Sequence, residues 1–142
     1  MSVKDESWCQ ILRDVGMQLV DASIATLEQS VGRGHPSWST AVHNRAVLLT
    51  AGGDLEGARD GLLVAIKAWH ELVGPEHLNT LNAMVQLGDV RRRLGDLDGA
   101  EAVLAVAVPK LNAVLGPSNR LSLKGLHDLA ELHAAQQRWD LA

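Results

Sequence analysis

Apolar side chains along this chain fall at spacings of three and four. From Ala58 they run through Leu62, Ala65, Ile66, Trp69, Leu72 and Val73, and from Ala100 through Val103, Leu104, Ala107, Val108, Leu111, Val114 and Leu115. Such spacing puts each set on one face of a helix, so two amphipathic helices are predicted. Thr40 to Gly52 and Thr80 to Leu94 repeat the period more weakly, and a glycine able to take the left-handed conformation closes each. Ser37 and Asn79 are expected to cap these two helices, and Asp54 and Asp96 the helices that follow. Upstream, Val20, Ile24, Leu27 and Val31 predict a helix over residues 15–31, leaving room before it only for a short piece around Trp8 to Leu12.

The elements recur in register. Gly32, Gly74 and Gly116 are 42 residues apart, and the same shift superposes Gly53-Asp54-Leu55, Gly95-Asp96-Leu97 and Gln137-Arg138-Trp139. It also aligns the small residues Ala46, Gly88 and Ala130, and again Ala58, Ala100 and Ala142, where two helices must approach closely. A fixed period of this length marks a helical repeat, in which each hairpin buries its apolar face only by stacking on its neighbours. The expected organisation is one domain: a capping half-repeat over 1–31, repeats over 32–73 and 74–115, and a truncated repeat over 116–142. The fold class is all-α.

Composition agrees and narrows the choice of partners. The 46% hydrophobic share contains no Phe, no Tyr and four Trp, and is dominated by the helix formers Leu and Ala together with Val. A formal charge of −4 gives no general attraction for nucleic acid or anionic lipid. No apolar run reaches a membrane span, the acidic N-terminus does not resemble a signal peptide, and the lone Cys9 cannot close an intramolecular disulfide. A cytoplasmic location is the expectation.

The string Gly74-Pro75-Glu76-His77-Leu78-Asn79-Thr80-Leu81-Asn82, followed by Gly95-Asp96-Leu97-Asp98-Gly99-Ala100-Glu101, resembles the tetratricopeptide repeat of the kinesin light chain type, common also in bacterial proteins. The resemblance is strongest in the second repeat and covers roughly residues 16–142. It implies a right-handed superhelical stack of antiparallel helix pairs, a TPR-like α-solenoid that binds a peptide segment or protein on its concave face. The first helix of each pair would line that face with His43, Asn44, Val47 and Thr50, then Val85, Gln86, Asp89, Arg92 and Arg93, then His127, Asp128 and Glu131. In this family an asparagine pair at the places of His43 and Asn44 often grips a peptide backbone; here Asn44 and Gln86 keep a carboxamide.

Several features depart from that pattern. Arg45 and Arg91 stand at usually apolar positions, Pro109 falls inside a helix and predicts a kink, and Gln137-Arg138-Trp139 replaces the Gly-Asp turn. Arg92, with Arg93, is a candidate anchor for an acidic group on a partner, and Trp38 a candidate exposed contact. Cys9, beside Trp8, is expected to be a packed thiol, and His35 and His77 to serve the turns.

The histidines do not converge as metal ligands, so neither metal nor cofactor is expected. No catalytic motif is present, and no catalytic residue is assigned. An enzyme or small-molecule-binding protein of a biosynthetic pathway, using the groove as a pocket, is the alternative. A third possibility is a homodimer through the last helix, with Leu126, Leu129, Leu132 and Trp139 as an uncovered apolar surface.

Overall fold

The computed structural model describes residues 3–141, with side chains described for residues 7–137. The described residues form six helices: α1 (Val3–Ser30), α2 (Pro36–Gly52), α3 (Leu55–Val73), α4 (Leu78–Arg93), α5 (Leu97–Leu115) and α6 (Arg120–Leu141). Each packs on the next in sequence, and α2 also meets α4, as α4 meets α6. This is the stacked-hairpin arrangement of a TPR-like solenoid.

The helix ends follow from local chemistry. Gly53 and Gly95 sit at φ +89° and +86°, which lets the chain reverse within two residues between α2 and α3 and three between α4 and α5. The next residues, Asp54 and Asp96, accept the amides of Gly57 and Gly99 at 3.0 Å, as expected of N-caps. The caps of α2 and α4 lie two residues earlier than expected. His35 and His77 hold them, each Nδ1 accepting from the amide two residues on, Ser37 or Asn79, at 3.1 Å. Asn119 occupies the same register before α6, and its Oδ1 accepts from Leu121 at 2.9 Å. One geometry is therefore built with two side-chain types.

The core is layered between successive pairs. Trp38, Val42 and Ala46 of α2, Ala58, Leu62, Ala65 and Trp69 of α3, and Ala83, Leu87 and Val90 of α4 form one cluster. Leu81 and Val85 of α4 meet Ala107 and Leu111 of α5, and Leu104 and Val108 of α5 meet Leu132 of α6. Close approach is real at Gly88, where an added Cβ would lie 2.6 Å from Leu104 Cγ. Ala46 is likewise fully buried, whereas Ala130 is exposed because no described helix packs there as α5 packs on Gly88.

Two local expectations change, and a third position, Pro109, sits within one helical span. Residues 3–30 form one unbroken helix rather than a short piece followed by a helix, since Gly16 is the only residue in that stretch that disfavours helix strongly. α5 runs unbroken through Pro109; that residue and Ala105, whose carbonyl loses its donor, are both exposed, so water can satisfy the carbonyl. α6 continues through residues 137–139, where the earlier repeats turn, because Gln137 replaces the glycine.

Candidate functional site

Two neighbouring features occupy the surface shared by α2, α4 and α6. The first is a cleft of about 250 Å³ between α2 and α4, lined by Thr40, His43, Asn44, Val47, Trp69, Asn79, Asn82 and Gln86. Helical spacing produces it: residues 40, 43, 44 and 47 share one face of α2, and 79, 82 and 86 one face of α4. Trp69 of α3 contributes its side chain from the helix between them, and its indole N–H is buried without a partner. His43 is also buried, at 8% exposure, and burial lowers its pKa, so the imidazole is neutral at pH 7. The lining thus offers four carboxamides, a neutral imidazole and an orphan donor, with no formal charge. Such groups both donate and accept, which suits a peptide backbone.

The second feature is a charge cluster joining α4 to α6. Asp89, 4% exposed, accepts from Arg92 Nη2 at 2.9 Å and faces Arg93 Nη2 at 3.2 Å and Lys124 Nζ at 3.7 Å. Lys124 also donates to the buried Asp128 at 3.0 Å. Glu131 lies 3.9 Å from Arg92 and 3.8 Å from His127. Burial pushes the Asp89 carboxyl up, but Lys124, the Arg92 hydrogen bond and Arg93 outweigh it and hold the carboxyl below its ordinary range. Three cations and three carboxylates neutralise one another here.

The expected contact residues therefore separate. His43, Asn44, Val47 and Gln86 meet in the cleft. Thr50 is half-buried and donates its hydroxyl to Ala46 O at 2.9 Å within its own helix. Asp89, Arg92, Arg93, Asp128, Glu131 and His127 belong to the charge cluster, in which Arg92 already has a carboxylate partner. Val85 is fully buried and lies in the core rather than on the groove. The two usually apolar positions taken by arginine are half-buried: Arg45 pairs with Asp21 of α1 at 2.6 Å, and Arg91 donates to Gly99 O at 3.2 Å.

Trp38 is not an exposed contact. At 6% exposure it is buried in the core formed with α3, and the Arg33 guanidinium lies 5.6 Å from its ring centroid. Both border a second cleft of about 570 Å³ with Val64, Lys67, Ala68, Glu71 and Leu72. The uncovered surface expected on α6 is also smaller than its sequence suggests. Leu132 is fully buried against α5 and Leu129 packs on the same cluster, leaving Leu126 at 39% exposure. The side chain of Trp139 lies outside the described residues.

The model of the tetratricopeptide repeat matches residues 38–113, more than half of the chain. The chain belongs to the tetratricopeptide repeat family. A search of curated proteins returns no match. The repeat model spans α3, α4 and most of α2 and α5, so the cleft lies within the matched tetratricopeptide region. Sequence reasoning missed Thr40, Trp69, Asn79 and Asn82 as lining residues of this tetratricopeptide cleft. The sequence offers Asn79 as a cap and Trp69 as part of an apolar helix face; the spacing of 79, 82 and 86 is the available signal. No helix among the described residues is long and apolar enough to cross a membrane.

Proposed function

We propose that the chain is a protein-interaction module that takes an extended peptide segment of a protein partner into the cleft between α2 and α4. The observation that carries this reading is the lining itself: Asn44, Asn79, Asn82 and Gln86 around a neutral His43, above the unpartnered Trp69 indole. A backbone has alternating donors and acceptors at fixed spacing, and carboxamides match both. The volume falls below the range of about 300–1,000 Å³ usual for drug-sized ligands, which favours a short piece of chain over a small molecule. The 42-residue spacing supports a kinesin-light-chain-like subtype, and the composition supports work in the cytoplasm.

The test starts from the partner that copurifies from the native cell, its bound segment mapped on overlapping peptides. Affinity for that peptide is then measured for Asn44→Ala and Asn82→Ala. Each lost hydrogen bond contributes about 1 kcal/mol, so each variant should bind roughly five- to tenfold more weakly. A double variant that binds as tightly as the parent protein would refute the assignment.

A further inference from the structure

The largest run of exposed apolar side chains lies on α1. Trp8, Ile11, Leu12, Val15 and Leu19 are 64%, 48%, 66%, 47% and 65% exposed. Their spacing of i, i+3, i+4, i+7 and i+11 confines them to an arc of about 100° on one face of the helix. Val20, Ile24 and Leu27 lie on a different arc, and Ile24 and Leu27 pack there on the α2–α4 core. α1 thus has two apolar faces, one serving the stack and one facing solvent.

We infer that this outer face of α1 is a homodimer interface, pairing with the same face of a second copy in antiparallel, two-fold fashion. The sequence of the stripe is self-complementary in that arrangement. A two-fold axis between residues 13 and 14 sets Trp8 against Leu19 and Leu12 against Val15, each pair occurring twice, as an isologous contact requires. It also sets Ile11 opposite Gly16, where a Cβ would meet nothing within 4 Å, so a large side chain faces an open position.

Charge points to the same occupant. From Trp8 to Ser23 the stripe and its borders at Gly16, Gln18, Ala22 and Ser23 contain no ionisable side chain. A two-fold contact places like groups near one another, and from Trp8 to Ser23 this arc has no charge to repel its copy; Lys4 and Asp5, one turn before Trp8, are of opposite sign.

The area suffices for a modest dimer. At these exposures the five side chains present on the order of 400 Å² per copy, from the usual side-chain areas. With the bordering residues the pair approaches the roughly 1,000 Å² of the smallest specific interfaces. Association in the micromolar range is therefore expected, with the α2–α4 cleft left open.

The test is the mass in solution of the whole chain, by light scattering across concentrations from one to one hundred micromolar. The parent protein should approach twice the 15.2 kDa chain mass at the upper end. Leu12→Glu together with Leu19→Glu should hold it at the single-chain mass with helical circular dichroism unchanged, while Leu126→Glu on α6 should leave the dimer intact. A parent protein that stays monomeric at one hundred micromolar overturns the inference, and so does a dimer that Leu126→Glu dissolves. Should the double variant lose its helical signal, Leu19→Gln replaces it, with a weakened dimer as the expected result and an unchanged one as the refutation.

Discussion

Replacing Asp89 with alanine removes the one carboxylate that Arg92, Arg93 and Lys124 share. The Asp89 side chain is 6% exposed, and the three cations approach it at 2.9, 3.2 and 3.7 Å. Breaking a fully buried ion pair from one side costs about 3–5 kcal/mol, because the remaining charge is stranded. Here the partners keep 25%, 48% and 37% of their side chains in water, so solvent screening reduces that figure to about 2 kcal/mol. For a domain of this size the loss corresponds to a fall in Tm of roughly 6 °C. Asp89→Asn, which keeps an acceptor for Arg92 but not the charge, should cost about half as much.

Urea unfolding followed by circular dichroism at pH 7 measures both variants, and an unchanged slope would show that the unfolded state is not the cause. A loss below about 0.5 kcal/mol for Asp89→Ala would refute the reasoning, since it would make the cluster an ordinary surface network. The sign with pH follows from the lowered carboxyl pKa. The contribution is present above the ordinary value of 3.8 and is lost as pH falls through the lower folded value. The difference between parent and Asp89→Ala should therefore close in strong acid.

Three further outcomes follow from the geometry. His77→Asn should leave stability within about 0.5 kcal/mol, because Asn119 makes the same cap in the next repeat, whereas His77→Ala should cost about 1 kcal/mol in thermal unfolding. Gly88→Ala should destabilise by about 1–3 kcal/mol despite alanine's better helix propensity, since its Cβ would lie 2.6 Å from Leu104 Cγ; an increase in Tm would show that α4 and α5 separate freely. His43, held neutral by burial, stabilises the fold fully above 6.5, and that contribution declines as pH drops from there to its lower folded pKa. His43→Leu should accordingly flatten the fall in urea midpoint between pH 7.5 and 5.5, and equal slopes for parent and variant would argue against the buried neutral imidazole.

The 42-residue register and the Gly-Asp turns were legible because backbone conformation and capping depend on a few local residues. The His caps were less so: histidine is a weaker N-cap signal than Ser37 or Asn79 nearby, and only the backbone shows which side chain reaches an amide. Burial of charge was not legible at all. Asp89 and Asp128 read as surface acids in a polar stretch, and they are buried because Lys124, thirty-five residues beyond Asp89, comes to lie between them. The misplaced apolar surface has a related cause. The repeat pattern leaves Leu132 without a covering helix from its own repeat, yet α5 of the preceding pair covers it. Conversely Trp8, Leu12 and Leu19 read as parts of two elements, and their common stripe emerged only when residues 3–30 proved to be one helix.

The charge cluster between α4 and α6 has a mechanical consequence for the cleft beside it. Asp89 and Lys124 tie these two helices together, while no salt bridge among the described residues joins α2 to α4. The α2–α4 seam rests instead on the apolar cluster that α2, α3 and α4 share, whose packing is non-directional. A guest entering there would meet one stiff wall and one that yields, so accommodation should appear as movement of α1 to α3 against a fixed α4 to α6 block.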